Sequence, residues 1–152
     1  MKKISIIILF FLAGKIISQE NLYQKIKEQI KKEHPELKLE NKLIVVNSWS
    51  ASDNSSRDNN IQLNKAYVAY EYAKLKGGLK GMIGVSICTD SDKGLEDIVL
   101  GKDKVTKALK LNNEESFDLN GMSNVIFDSN GNIVQQNISA NLFAEINKLI
   151  TR

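Results

Sequence analysis

The chain is 152 residues long, 42% hydrophobic and 26% charged, which suits one soluble globular domain with no repeat, linker or second domain. Its formal charge of +3 resides in the first eighteen residues: without Lys2, Lys3 and Lys15 the 21 basic side chains become 18, equal to the 18 acidic ones, so neither nucleic acid nor anionic lipid is an expected partner. A single cysteine, Cys88, excludes an intramolecular disulfide and any dithiol mechanism within one chain.

Lys2 and Lys3, followed by the mostly apolar residues 4–13, read as the start of a secretory signal, with residues 14–18 as its cleavage region. The apolar run is far short of the ~20 residues that span a bilayer. The expectation is a signal peptide over 1–18, a mature domain over 19–152, no stable membrane span after cleavage, and a periplasmic or secreted location.

Leu22, Ile26 and Ile30, spaced by four, predict an amphipathic helix over 21–34 that packs on a sheet and ends before Pro35, the only proline. Residues 43–46 read as a buried parallel strand, apolar at successive positions. A helical stripe from Ile61 to Leu75 follows the turn at 53–57 and ends at Gly77-Gly78. Residues 81–88 read as the next strand, 95–109 carry mixed helical spacing, and 110–121 read as a loop. Residues 125–128 and 133–134 flank Asn130-Gly131, a strong signal for a hairpin with a type I′ turn. Ser139 is the expected cap of a last helix whose Leu142, Ile146, Leu149 and Ile150 face a core. The order α-β-α-β-α-β-β-α makes an α/β fold: a central mixed sheet flanked by helices, with a terminal β-hairpin and a C-terminal helix.

Within L-I-V-V-N-S-W-S-A-S-D-N-S-S-R (43–57), Val46, Asn47, Trp49 and Arg57 stand where the signature V-N-F-W-A-S-W-C-x-P-C-R has them. The chain resembles the thioredoxin-like proteins, in particular the bacterial envelope thiol–disulfide oxidoreductases of the TlpA type, over most of residues 40–151. The segment G-V-S-I-C-T-D resembles that family's V-S-x-D strand, with Cys88 where Asp is usual. V-I-F-D-S-N-G-N-I-V resembles its F-L-I-D-x-x-G-x-I hairpin. The resemblance implies a thioredoxin-like fold whose redox site is lost. Asp53 and Ser56 occupy the two cysteine positions, with Asn54 and Ser55 between them. Met122, ahead of Ser123, takes the place of the family's cis-proline; a non-proline cis bond costs about 2.5–4 kcal/mol, so an ordinary trans peptide is expected there.

Asp53, Asn54, Ser55 and Ser56 are all residue types favoured at helix N-caps, and Asp53 reads as a cap in preference to an acid–base or cation-binding group. Neither D-N-S-S-R-D-N-N nor T-D-S-D-K-G has the glycine and glutamate spacing of a calcium loop, so no metal and no cofactor is expected. Cys88, at a strand end, is a candidate reactive thiol able to form mixed disulfides or meet oxidants; the competing reading is a small buried hydrophobe. His34, the only histidine, has no catalytic constellation. Trp49 and Arg57 read as a packing residue and a helix-face charge. Two functions remain: a non-catalytic binding or scaffold module of the cell envelope with a protein or peptide partner, or an atypical oxidoreductase using Cys88 alone.

Overall fold

The computed structural model describes residues 22–111, 117, 119–139 and 141–150. The signal-peptide expectation over 1–18 lies outside them. Residues 22–33 are helical (α1), and Leu22, Tyr23, Ile26 and Ile30 form one buried stripe. Fully burying Ile26 and Ile30 contributes about 1.5–3 kcal/mol each. The remaining elements are β1 (Leu43–Trp49), α2 (Asn54–Tyr70), β2 (Met82–Cys88), α3 (Lys93–Lys102), β3 (Leu109–Lys110), β4 (Asn124–Phe127), β5 (Ile133–Gln136) and α4 (Leu142–Lys148). They build one sheet in the order β3-β2-β1-β4-β5. The pairs β1–β2 and β2–β3 are parallel, and β4 is antiparallel to both its neighbours. This is the mixed sheet with terminal hairpin and C-terminal helix that the pattern of the chain implies.

All seven residues of β2 are buried, as a strand covered on both faces requires. Alternation puts Leu43, Val45, Asn47 and Trp49 on one face of β1, in register with Met82, Gly84, Ser86 and Cys88. Helix α2 lies on this face and approaches closely because Gly84 lacks a side chain: a Cβ there would stand 3.1 Å from Leu63 Cδ1 and 3.2 Å from Tyr67 Cδ1. Helix α4 joins α2 through Tyr70, whose ring lies 5.5 Å from that of Phe143 and whose hydroxyl donates to Asn147 Oδ1 at 3.0 Å. Helix α1 covers the opposite face, with Tyr23 packed 5.5 Å from Phe127.

Tertiary contacts redraw several expected boundaries. Strand β1 continues through Asn47 to Trp49, because its paired positions on β2 extend equally far. Helix α2 stops at Tyr70 and not at Gly77-Gly78. Lys42 Nζ donates to the Glu71 carbonyl at 2.7 Å, and Leu75, fully buried, leaves the helix to bridge Ile150. The two glycines instead form a tight left-handed turn, with φ of 75° and 79°. Helix α3 ends at Lys102, well before residue 109, where Lys104 takes a φ of 56° and the Val105 N–H bonds the Leu100 carbonyl at 2.9 Å. Leu109 and Lys110 then pair with β2 as an unforeseen edge strand. Residues 112–116 and 118 of the expected loop lie outside the described residues.

At the hairpin, only Gly131 of the Asn130-Gly131 pair has positive φ (87°), so the type I′ turn does not form. Asp128 explains the difference. Its carbonyl accepts the Gly131 N–H at 3.1 Å, and its Oδ1 accepts the N–H groups of Asn130 and Asn132, each at 2.9 Å. An aspartate that satisfies its own turn favours this wider loop. Likewise Ser139 does not cap α4: Asn141 does, its Oδ1 accepting the Ala144 N–H at 2.9 Å.

Candidate functional site

Strands β1 and β2 end side by side, with Trp49 opposite Cys88. The carboxyl edge of parallel strands is where α/β proteins gather ligands. From there the chain passes through a short turn into α2, and Asp53 is the N-cap: its Oδ1 accepts the Ser55 N–H at 3.0 Å. Ser56 Oγ donates to the Asp53 carbonyl at 3.1 Å and accepts the Ser50 N–H at 3.3 Å. Hydrogen bonds from Ser56, then from Ser55, hold the Asp53 carboxyl below the usual carboxylate range. Asn54 and Ser55 are exposed in the first turn. A water-exposed carboxylate with a depressed pKa is a weak base at neutral pH, so this geometry suits capping and not proton transfer.

Asn47 lies fully buried beneath this turn. Its Nδ2 donates to the Ser56 carbonyl at 3.1 Å, while its Oδ1 has no hydrogen-bond partner among the described residues. Asn124 sits opposite it on β4 and takes both main-chain groups of Ile138, at 2.8 and 3.0 Å. Just before β4, Met122 is half-buried against the main core, and the Ser123 carbonyl accepts the Ser48 N–H at 2.9 Å. No cis peptide bond occurs among the described residues. The 53–56 turn, Met122 and Cys88 thus share one end of the sheet.

Cys88 is buried at 6% exposure in a small apolar cluster with Trp49 and Val99. Its thiol donates to Asp90 Oδ2 at 3.6 Å, and the same oxygen accepts the Ala51 N–H at 2.6 Å. Burial, assisted by the Glu96 and Asp90 carboxylates, outweighs a main-chain bond at Asp90 and pushes the thiol up to about 11. Attacking cysteines have the opposite character, a lowered pKa in an electropositive, accessible setting.

Trp49 packs as expected and also donates from Nε1 to Ser86 Oγ at 2.9 Å, with both groups buried. Arg57 is more than a helix-face charge. It grips Asp103 with two hydrogen bonds, 2.9 and 2.6 Å, and so ties α2 to the end of α3. His34 stands at the end of α1, 3.7 Å from Glu36. Sequence reasoning missed Asp90, Ser86, Asp103 and Glu96. Glu96 is buried at 1% exposure with Lys93 and Lys110 ammonium groups 3.4 and 3.8 Å away; a charge three residues before Val99 on the inward side of α3 was its only signal. Asp90 and Asp92 lie in T-D-S-D-K-G, which lacks the spacing of a calcium loop, and both serve the backbone: Asp90 Oδ2 accepts the Ala51 N–H and Asp92 Oδ1 caps α3 through Gly94 and Leu95. Among the described residues no group of three histidine, cysteine or acidic side chains is placed to hold a metal ion.

No family model matches the chain, and no curated protein matches it. Solved structures do. The fold is similar to the thioredoxin domain of a thiol-disulfide oxidoreductase from Bacteroides vulgatus, with 17% identity, a TM-score of 0.55, and coverage of 74% of this chain and 82% of that one. It is similar to a thioredoxin-like protein from Parabacteroides distasonis at 23% identity and a TM-score of 0.53, covering 74% and 83%. It is also similar to a thiol:disulfide interchange protein from Bacteroides sp. at 19% identity and a TM-score of 0.55, covering 72% and 73%. With its sheet order, its terminal hairpin and the 53–56 turn at the head of α2, this chain has the thioredoxin fold.

Proposed function

We propose that this is an exported thioredoxin-fold protein, with residues 1–18 as a cleaved signal peptide and 19–152 as its single domain, that serves as a non-catalytic binding or scaffold module of the bacterial cell envelope. The observation that carries the reading is the state of the α2 N-terminus. The two positions that hold thiols in the resembled signature hold Asp53, occupied as a helix cap, and Ser56, hydrogen-bonded into the turn. The only thiol of the chain, Cys88, is buried and carries a raised pKa, which weighs against a single-thiol oxidoreductase. The polar, exposed residues 52–55 present hydrogen-bonding groups of the kind a protein or peptide partner would meet.

The test is reduction of insulin disulfides in the presence of an external dithiol. The expected result is no rate above the uncatalysed background. Turnover at rates typical of a thiol oxidoreductase overturns the proposal, as does an adduct or second chain found on Cys88 after acid quenching of cells. Intact mass of the protein from the envelope tests the export half: the expected mass lacks about the first eighteen residues.

A further inference from the structure

At the opposite end of the sheet from the 53–56 turn, α1, the segment before β1 and the β4–β5 turn line a half-open cavity of about 240 Å³. Its wall includes Lys27, Lys31, Leu39, Asn41, Ser129 and Asn130, with Glu40 also on it. Lys27 and Lys31 are one helical turn apart on α1, so both ammonium groups serve the same opening. Lys27 Nζ is held 5.0 Å over the Tyr23 ring. Among the described residues, neither lysine has a carboxylate within the 4.0 Å of an ion pair, Glu40 included. The nearby Asp128 carboxylate is turned into its own loop, bonded to Asn130 and Asn132.

Like charges at this spacing destabilise a helix by a few tenths of a kcal/mol, and neither the Tyr23 ring beside Lys27 nor, among the described residues, any carboxylate ion pair neutralises them, so an anion between them lowers that cost. The apolar stripe of α1 is buried against the sheet, so these lysines do not belong to a helix lying on lipid. The cavity is smaller than the roughly 300–1,000 Å³ of pockets for drug-sized ligands. We propose that it is a binding site for a small oxyanion of phosphate chemistry, held by the ammonium groups of Lys27 and Lys31 with the polar groups of Asn41, Ser129 and Asn130 completing the wall. This site is independent of the 53–56 turn and of any redox chemistry.

The test uses the protein as purified from its own cells, with inorganic phosphate as the probe and sodium chloride of equal ionic strength as the reference. Thermal unfolding should shift upward with phosphate in a saturable manner that chloride does not reproduce, and amide resonances of Asn41, Ser129 and Asn130 should move along the same titration. Lys27→Gln and Lys31→Gln should each weaken the apparent affinity at least about fivefold, the worth of one modest charge contact. Lys32→Gln, on the same helix but not on the cavity wall, should leave it unchanged. Phosphate behaving like chloride overturns the proposal. So does an equal loss in Lys31→Gln and Lys32→Gln, which would mean a diffuse charge effect and no site.

Discussion

The Cys88 thiol donates to Asp90 Oδ2 at 3.6 Å, and the same oxygen accepts the Ala51 N–H at 2.6 Å. One carboxylate therefore joins the end of β2 to the turn after β1 and faces the thiol with negative charge. A thiol in that position is kept protonated: a negative neighbour opposes the thiolate, and burial opposes it more.

Alkylation should report this directly. With the thiol raised from 9.0 to about 11, the thiolate fraction at neutral pH falls about 100-fold, before any steric protection is counted. Iodoacetamide should label Cys88 at least about 100-fold more slowly in the native protein than in urea. Comparable rates in the two states would contradict the burial described here. The linked effect on stability has a defined sign. The native state keeps a proton that the unfolded chain releases, so this contribution is complete below pH 9.0 and is lost as pH rises toward 11. Tyr67, pushed to about 12 by burial, extends the loss to higher pH. Urea midpoints measured across that range should fall, and less steeply in Cys88→Ser.

Asp53 predicts the reverse at acid pH. Its folded pKa is depressed, chiefly by Ser56, so its contribution is present above the unfolded value of 3.8 and disappears as pH falls through the folded one. Asp53→Ala should lower the urea midpoint at pH 7, and the gap from the unmodified chain should close on acidification. Asp53→Asn should retain most of the neutral-pH stability, because asparagine caps as well as aspartate. A gap that stays constant with pH would assign the loss to something other than the carboxylate.

Asn64 organises the approach to β3 single-handedly. Its Oδ1 accepts the N–H groups of Thr106, Lys107 and Ala108 at 3.0, 2.6 and 3.0 Å. Asn64→Ala should cost about 2 kcal/mol, with hydrogen exchange accelerated at those three amides first. Asn64→Asp, which keeps an acceptor in place, should cost less. Uniform acceleration across the sheet would instead mean a global effect.

Gly131 and Tyr23 should prove coupled. Gly131 has a φ of 87°, and a Cβ there would lie 2.5 Å from Tyr23 Cδ1, whose ring docks α1 on the hairpin. Gly131→Ala should destabilise by about 2 kcal/mol, from strain and overpacking together. In a Tyr23→Ala background the same change should cost less, because only the strain remains. Strict additivity in that double-mutant cycle would deny the contact.

The frame of the fold follows from local signals in the chain. The four-residue spacing of Leu22, Ile26 and Ile30, the largely apolar stretches of β1 and β2 and the turn chemistry around Gly131 are local signals, and burial and turn geometry make them a helix, buried strands and a hairpin. The absence of two thiols at 53 and 56 was equally plain, being a matter of composition. Other features depend on groups that are distant along the chain and meet only in the fold. Helix α2 ends at Tyr70 because Lys42 and Ile150 meet the residues beyond it. Leu109 and Lys110 become a strand because Val85 and Ser86 offer them an edge. The character of Cys88 was undecidable from its neighbours in sequence, since a thiol is reactive or inert according to its burial and the charges around it. Here Trp49, Val99, Asp90 and Glu96, brought together from two strand ends and a helix, bury the sulfur and oppose its thiolate.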